Sequence, residues 1–150
     1  MPSNAEIARS LYLGWNERDF DRMVEMVTPD SEIHVAGTGE VFTGPEGARR
    51  YNVAWAEGFP DGEITIDNLV DAGDCIVVEF TGRGTHTGTL TTSMGSIPAT
   101  GRQLTLALCD VVEFEDGKVK RQRTYFDTGS MMAQLGLLPE QAAATQETRT

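Results

Sequence analysis

LTLALCDVVEF (104–114) and VKRQRTYF (119–126), joined across Asp116-Gly117, decide how this chain folds. Each run is long enough to cross a whole sheet. Asp-Gly between two β-rich runs is the strongest short hairpin signal a sequence carries. At strand period two, Leu104, Leu106, Leu108 and Val112 share one face, and Asp110 lies in line with them. A carboxylate on an apolar face must find partners or hold a raised pKa. Asp110 is therefore the first candidate for chemistry. If the register follows the turn, Gln122, Thr124 and Phe126 face the same side from across the hairpin. Arg121, Arg123 and Tyr125 then point to the other, outer face.

Upstream of the hairpin, EITIDNLVDAG (63–73) and CIVVEFTGRGTHTG (75–88) read as further strands, with Ile76, Val78 and Phe80 on one face. The loop Thr89 to Gly101, rich in Thr, Ser and Gly, is placed to lid a cavity. At the N-terminal end Ile7, Leu11 and Trp15 follow Asn4, a plausible N-cap, at helical spacing. DFDRMVEMV (19–27) reads as a short second helix, Thr28-Pro29-Asp30 as a turn, and Ser31 to Val35 as a strand. Pro45 suits the first turn of a third helix carrying Tyr51 and Trp55 one turn apart. Asp127 suits the N-cap of a last short helix that Gly136 can end.

Helices followed by a run of antiparallel strands give an α+β domain. Its glycine-containing sheet is expected to curl around three helices and leave a cavity open at one end. At 150 residues one domain is expected over residues 1–140, with a small, polar, frayed tail over 141–150. The net charge of -11, with no basic cluster beyond a pair, argues against nucleic acid or an anionic membrane as partner. The first ten residues carry no secretory pattern, no window reaches membrane-span length, and Cys75 and Cys109 read as small buried hydrophobes, so a cytoplasmic location is expected. Two separated histidines and two isolated cysteines form no metal-ligand spacing, and no Ser or Cys nucleophile motif is present.

NVAW (52–55), FPD (59–61), GTHTG (84–88), P-x-T-G-R (98–102), the DGK hairpin (116–118), the aromatic-plus-Asp strand end and QLG (134–136) together resemble the SnoaL-like polyketide cyclase family. That family lies in the nuclear transport factor 2-like superfamily, with ketosteroid isomerase and limonene-epoxide hydrolase. The resemblance covers roughly residues 5 to 139. It implies a cone-shaped, curved mixed or antiparallel sheet closed by three helices, and dimers or tetramers built on the outer sheet face. For activity it implies a cofactor-free intramolecular aldol closure, in which a carboxylate removes a proton flanked by carbonyls and an acid protonates the alkoxide. The cyclases' catalytic Asp falls at Thr124, which cannot serve as a base near neutral pH, and their His falls at Asp110. Asp110 also matches the oxyanion-hole Asp of ketosteroid isomerase. The isomerase's proton-shuttling Asp falls near Val35, beside His34, and its oxyanion Tyr near Leu11, beside Tyr12. The epoxide-hydrolase acid set is absent, since position 108 is Leu.

Asp110 is thus expected as acid/base or oxyanion donor, with His34 its partner if the strand turns it inward; alternation could equally send it to solvent. His86 is a candidate for the pocket rim or for a structural hydrogen bond. Asn52 is placed to orient a carbonyl or hydroxyl. Tyr12, Trp15 and Trp55, at core spacing, would complete the wall with Gln122, Thr124 and Phe126. No cofactor or metal is expected, and the expected ligand is a hydrophobic small molecule. A non-catalytic dimeric binding or scaffold module on the same fold is the competing expectation.

Overall fold

The structure is a computed structural model that describes residues 2–93 and 95–139; the expectation of a frayed tail over 141–150 falls outside them. In chain order the elements are α1 (Asn4–Asn16), α2 (Phe20–Val24), β1 (Val27–Val35), β2 (Glu40–Thr43), α3 (Gly44–Gly58), β3 (Glu63–Asp71), β4 (Cys75–Thr85), β5 (Leu90–Thr92), β6 (Gly95–Ile97), β7 (Gln103–Glu115), β8 (Lys118–Phe126) and α4 (Thr128–Gln134). Six strands form one curved mixed sheet in the order β2-β1-β8-β7-β4-β3, in which only β1 and β8 run parallel.

The central hairpin forms as its sequence requires. Asp116 and Gly117 both take positive φ, 50° and 77°, the signature of a turn whose twist matches that of the flanking strands. The turn alone would set Asp110 opposite Arg123; a bulge at Lys120, where the pairing shifts between Glu113 and Phe114, sets it opposite Thr124 on β8 instead, and it lies opposite Val78 on β4. β4 and β7 pair through eleven consecutive positions with no shift. Alternation along these strands turns Ile76, Val78, Leu104, Leu106 and Val112 inward, all nearly inaccessible. Burying each such side chain stabilises by about 1.5–3 kcal/mol. Ala8 and Tyr12 of α1 close over this face, while Ile33 and Val35 pack with Ala48 and Tyr51 of α3.

Three local expectations are corrected. The cap of α1 is Ser3, not Asn4: Ser3 Oγ accepts from the Glu6 N–H and the Glu6 carboxylate accepts from the Ser3 N–H. This reciprocal pair satisfies two otherwise orphaned donors. Thr28-Pro29-Asp30 is no turn but part of β1, where the pairing with β8 shifts between Val27 and Glu32. A bulge is one of the few sheet positions that tolerates proline. Val27, assigned to the second helix by periodicity, belongs to the same strand.

The segment after GTHTG folds as the β5–β6 hairpin on α3, with Leu90 against Gly58. It contributes nothing to the cavity wall among the described residues, so it is not the expected lid. Its anchor is Gly88, whose N–H donates to the Gly58 carbonyl at 3.2 Å and where any Cβ would overlap the Glu57 carbonyl. Asp127 caps α4 as expected, accepting from the Ser130 N–H at 3.0 Å, and Gly136 follows its last turn at φ 72°. Among the described residues no helix is long and apolar enough to cross a membrane.

Candidate active site

Between the concave sheet face and helices α1 and α3 lies a cavity of about 120 Å³. One water needs only about 10–15 Å³ of such space, so there is room for a small organic molecule. Its walls are mainly apolar and aromatic: Trp15 from α1, Trp55 and Phe59 from and after α3, Phe80 from β4, and Leu106 and Leu108 from β7. Trp15 Nε1 donates to the Asn52 backbone carbonyl at 3.3 Å, tying α1 to α3.

Asp110 lies within this wall at 3 % exposure. Its Oδ2 accepts from the Tyr12 hydroxyl at 2.6 Å and from Gln122 Nε2 at 3.2 Å. The same Gln122 nitrogen donates to Thr124 Oγ1 at 3.1 Å. Oδ1 is buried with no hydrogen-bond partner. Two donors thus hold one carboxyl oxygen and leave the other buried without a partner.

Burial pushes the Asp110 carboxyl up to about 6, against the pull of the Tyr12 and Thr124 hydroxyls, which favour the carboxylate. Burial, then the Asp110 charge, pushes the Tyr12 phenol well above its ordinary value. Tyr12 is therefore a permanent donor. Tyr51 is raised in the same order of causes.

Of the residues expected at the site, Asp110, Tyr12, Trp15, Asn52, Trp55 and Gln122 line the cavity together. Asn52 donates its amide to the Ala48 carbonyl at 2.8 Å, which leaves its side-chain oxygen as an acceptor.

Three expected positions are corrected, and His86 takes the structural one of its two expected roles. His34 does not face the cavity: Ser31, Ile33 and Val35 take the inward parity of β1, and His34 lies outside, 3.2 Å from Glu32. Thr124 is fully buried behind Gln122, and Phe126 packs edge-on against Trp55 at 5.7 Å; neither lines the cavity. His86 is fully buried behind Phe59, whose ring lies 5.2 Å from its own. Its Nδ1 lies 3.0 Å from the Thr100 hydroxyl and accepts from the Thr100 N–H, so the motif pair GTHTG and P-x-T-G-R is a structural clasp. Burial lowers the His86 pKa. Arg123 pairs with Glu113 at 2.7 Å on the outer face, as its parity requires.

Several wall residues escaped the sequence reading, among them Ser31, Tyr51, Glu63 and Arg83. Ser31 is a hydroxyl at an inward position between apolar neighbours, the same parity signal that exposed Asp110. Tyr51, at core spacing, lines the cavity as well. Among the described residues no three His, Cys, Asp or Glu side chains converge as metal ligands do.

Known proteins share this fold. A candidate SnoaL-like polyketide cyclase from Jannaschia sp. CCS1 is 25% identical, with 91% of this chain and 93% of that one aligned at a TM-score of 0.79. IdmH, a candidate polyketide cyclase from Streptomyces antibioticus, is 28% identical over 89% of this chain and 98% of its own, with a TM-score of 0.73. A protein with a ketosteroid isomerase-like fold from Catenulispora acidiphila DSM 44928 is 17% identical over 89% and 94% of the two chains, TM-score 0.72, and shares the fold. No curated protein matches the chain. The model of the SnoaL-like polyketide cyclases matches residues 5–135, nearly the whole cone together with the Asp110 hairpin, and the chain belongs to that family.

Proposed function

We propose that this protein is a cofactor-independent acid/base enzyme that moves a proton through Asp110 Oδ1 on a hydrophobic, carbonyl-rich small molecule. The observation that carries this reading is the asymmetric carboxyl of a residue in the wall of a mainly apolar cavity: Oδ2 held by Tyr12 and Gln122, Oδ1 buried and unpartnered. A base with a pKa of about 6 is largely ionised at pH 7 and close enough to neutrality to return the proton.

In an aldol-type closure, Oδ1 takes the proton from a carbon flanked by carbonyls, and the C–H electron pair becomes a delocalised enolate. That carbon forms a C–C bond to a second carbonyl, whose π pair becomes an alkoxide. The alkoxide takes the proton back from Oδ1. In an isomerisation the proton returns to a different carbon of the same enolate. Tyr12 stays protonated throughout and stabilises whichever charge Oδ2 carries.

Deuterium exchange from solvent into the acidic carbon of a bound 1,3-dicarbonyl ligand, followed by NMR, tests the proton transfer directly. Asp110→Asn should keep the fold and lose the exchange. An Asp110→Asn protein that exchanges at the wild-type rate sinks the proposal.

One observation favours a second reading, a non-catalytic dimeric binding module. Thr124 holds the place that the family resemblance gives to the cyclases' catalytic Asp, and it is fully buried. An Asp110 that titrates like an ordinary carboxyl would decide for the module. In either reading a second copy is expected on the outer sheet face, where Tyr125 is 44 % exposed beside the Arg123–Glu113 pair. A sedimentation mass of one chain would remove that expectation. Free Cys75 and Cys109 fit the cytoplasmic location proposed for it.

A further inference from the structure

Gly82 occupies an inward position of β4, between Ile64 on β3 and Leu106 on β7, and all three line the cavity. Glycine weakens a strand interior, so a reason for it has to be found. Backbone geometry supplies none: Gly82 is not among the positive-φ residues, and the β4–β7 pairing runs through it without a bulge. Packing supplies none either. A Cβ at Gly82 would meet only Leu108 Cδ1, at 3.7 Å, an ordinary contact. Gly84, the next inward position, shows the contrast: a Cβ there would press on Phe59, Gly62 and Asp61 at 3.1–3.3 Å. Gly84 is a glycine because the protein fills the space. Gly82 is a glycine beside space the protein leaves open.

We infer that Gly82 is a specificity-determining position that sets how long a molecule the cavity accepts when its reacting carbon sits at Asp110. This rests on the acid/base reading only in taking Asp110 as the reacting end. Leu106, beside Gly82, lies four strand residues from Asp110, a separation of about 13 Å at strand rise. That span exceeds a two-ring molecule and is filled by a longer fused-ring or similarly extended one. A side chain at 82 would cross the lane at its far end and leave the Asp110 end unchanged. Ile64, Leu106 and Leu108 give the lane apolar sides, while Glu63 and Arg83, paired across β3 and β4, line the cavity beside its Gly82 end.

The test uses binding alone, so it stays separate from turnover. The two tryptophans of the chain, Trp15 and Trp55, both line the cavity, and their fluorescence reports occupancy. The probes are 2-naphthol, 2-hydroxyanthraquinone and a four-ring hydroxynaphthacenequinone, each titrated into wild type, Gly82→Ala and Gly82→Val. Gly82→Val should leave 2-naphthol affinity within about twofold and weaken the longest probe by about tenfold or more, with Gly82→Ala between. Retention of the Asp110 titration in each variant, read by carboxyl NMR, shows that the reacting end is undisturbed. Equal losses for all probes, or no loss for the longest, would overturn the inference, as would failure of every probe to bind wild type. Normal length discrimination in an Asp110→Asn protein without proton exchange leaves Gly82 standing while the acid/base reading falls.

Discussion

The Tyr12 hydroxyl donates to Asp110 Oδ2 across 2.6 Å, joining α1 to β7 over 98 positions of sequence. Tyr12 also packs, tilted by 55°, against Phe80 at 5.0 Å between ring centres, so the donor is fixed by packing as well as by its bond. A carboxyl that is both desolvated and anchored on one oxygen keeps a defined direction for the other. The function proposed here depends on that direction, and four consequences can be measured.

Asp110 ionises near pH 6 in the fold, against 3.8 for the free side chain. Between those values the folded chain holds a proton that the unfolded chain has lost. Stability contributed by this group is therefore full below about pH 4, falls as pH rises to about 6, and is level above. Two units of pKa correspond to about 3 kcal/mol. Urea unfolding between pH 4 and 8 should show this fall in wild type relative to Asp110→Asn. Parallel curves for the two proteins would refute it. If Asp110 is the base, kcat/KM should rise with pH and reach its plateau just above 6.

Tyr12→Phe removes a hydrogen bond that favours the carboxylate. A hydrogen bond to a charged group contributes about 1.5–3 kcal/mol, so the Asp110 pKa should climb by roughly one to two units. Carboxyl NMR reads the shift, and proton exchange at pH 7 should slow with it. An unchanged or lower pKa would mean that the bond does not tune the acid.

His34→Ala should leave kcat/KM within about twofold of wild type, because the imidazole lies on the outer face beside Glu32 and is 39% exposed. A loss of tenfold or more would return His34 to the site.

Gly88→Ala should destabilise by at least about 2 kcal/mol, since the new methyl overlaps a backbone carbonyl that α3 holds in place. Gly82→Ala, with free space and no backbone demand, is the control and should be near neutral or stabilising. Thermal unfolding of the two variants compares them directly, and equal melting temperatures would contradict the packing described for the Gly88 anchor of the β5–β6 hairpin.

Asp110 was legible in the sequence because strand parity is a local property. Period two along β7 puts Leu104, Leu106, Leu108 and Val112 on one face, and one carboxylate among them stands out; the bulge at Lys120, which decides that Gln122 and Thr124 rather than Arg121 and Arg123 face it, left no such mark. Ser31 carried the same signal more faintly, since its strand was read as starting there rather than four residues earlier at Val27. His34 was misplaced because the alternation of a strand says which residues share a face but not which face is inner. That choice is made by α3, which packs Ala48 and Tyr51 onto Ile33 and Val35. His86 resembled a rim residue because its motif is loop-like; its burial behind Phe59 comes from contact with a segment fourteen residues away.

The sequence by itself determined the α+β class, the hairpin and its turn, the carboxylate on the apolar face and the membership that its motifs announce. These follow from period-two patterning and turn chemistry, which act over a few residues. Only the tertiary structure decided that Tyr12 and Gln122 converge on one oxygen of Asp110, that Thr124 and Phe126 stand behind the wall, and that Gly82 borders open space. Each of those depends on how far the sheet curls and where helices settle on it, and such distances are set by the packing of the whole core at once.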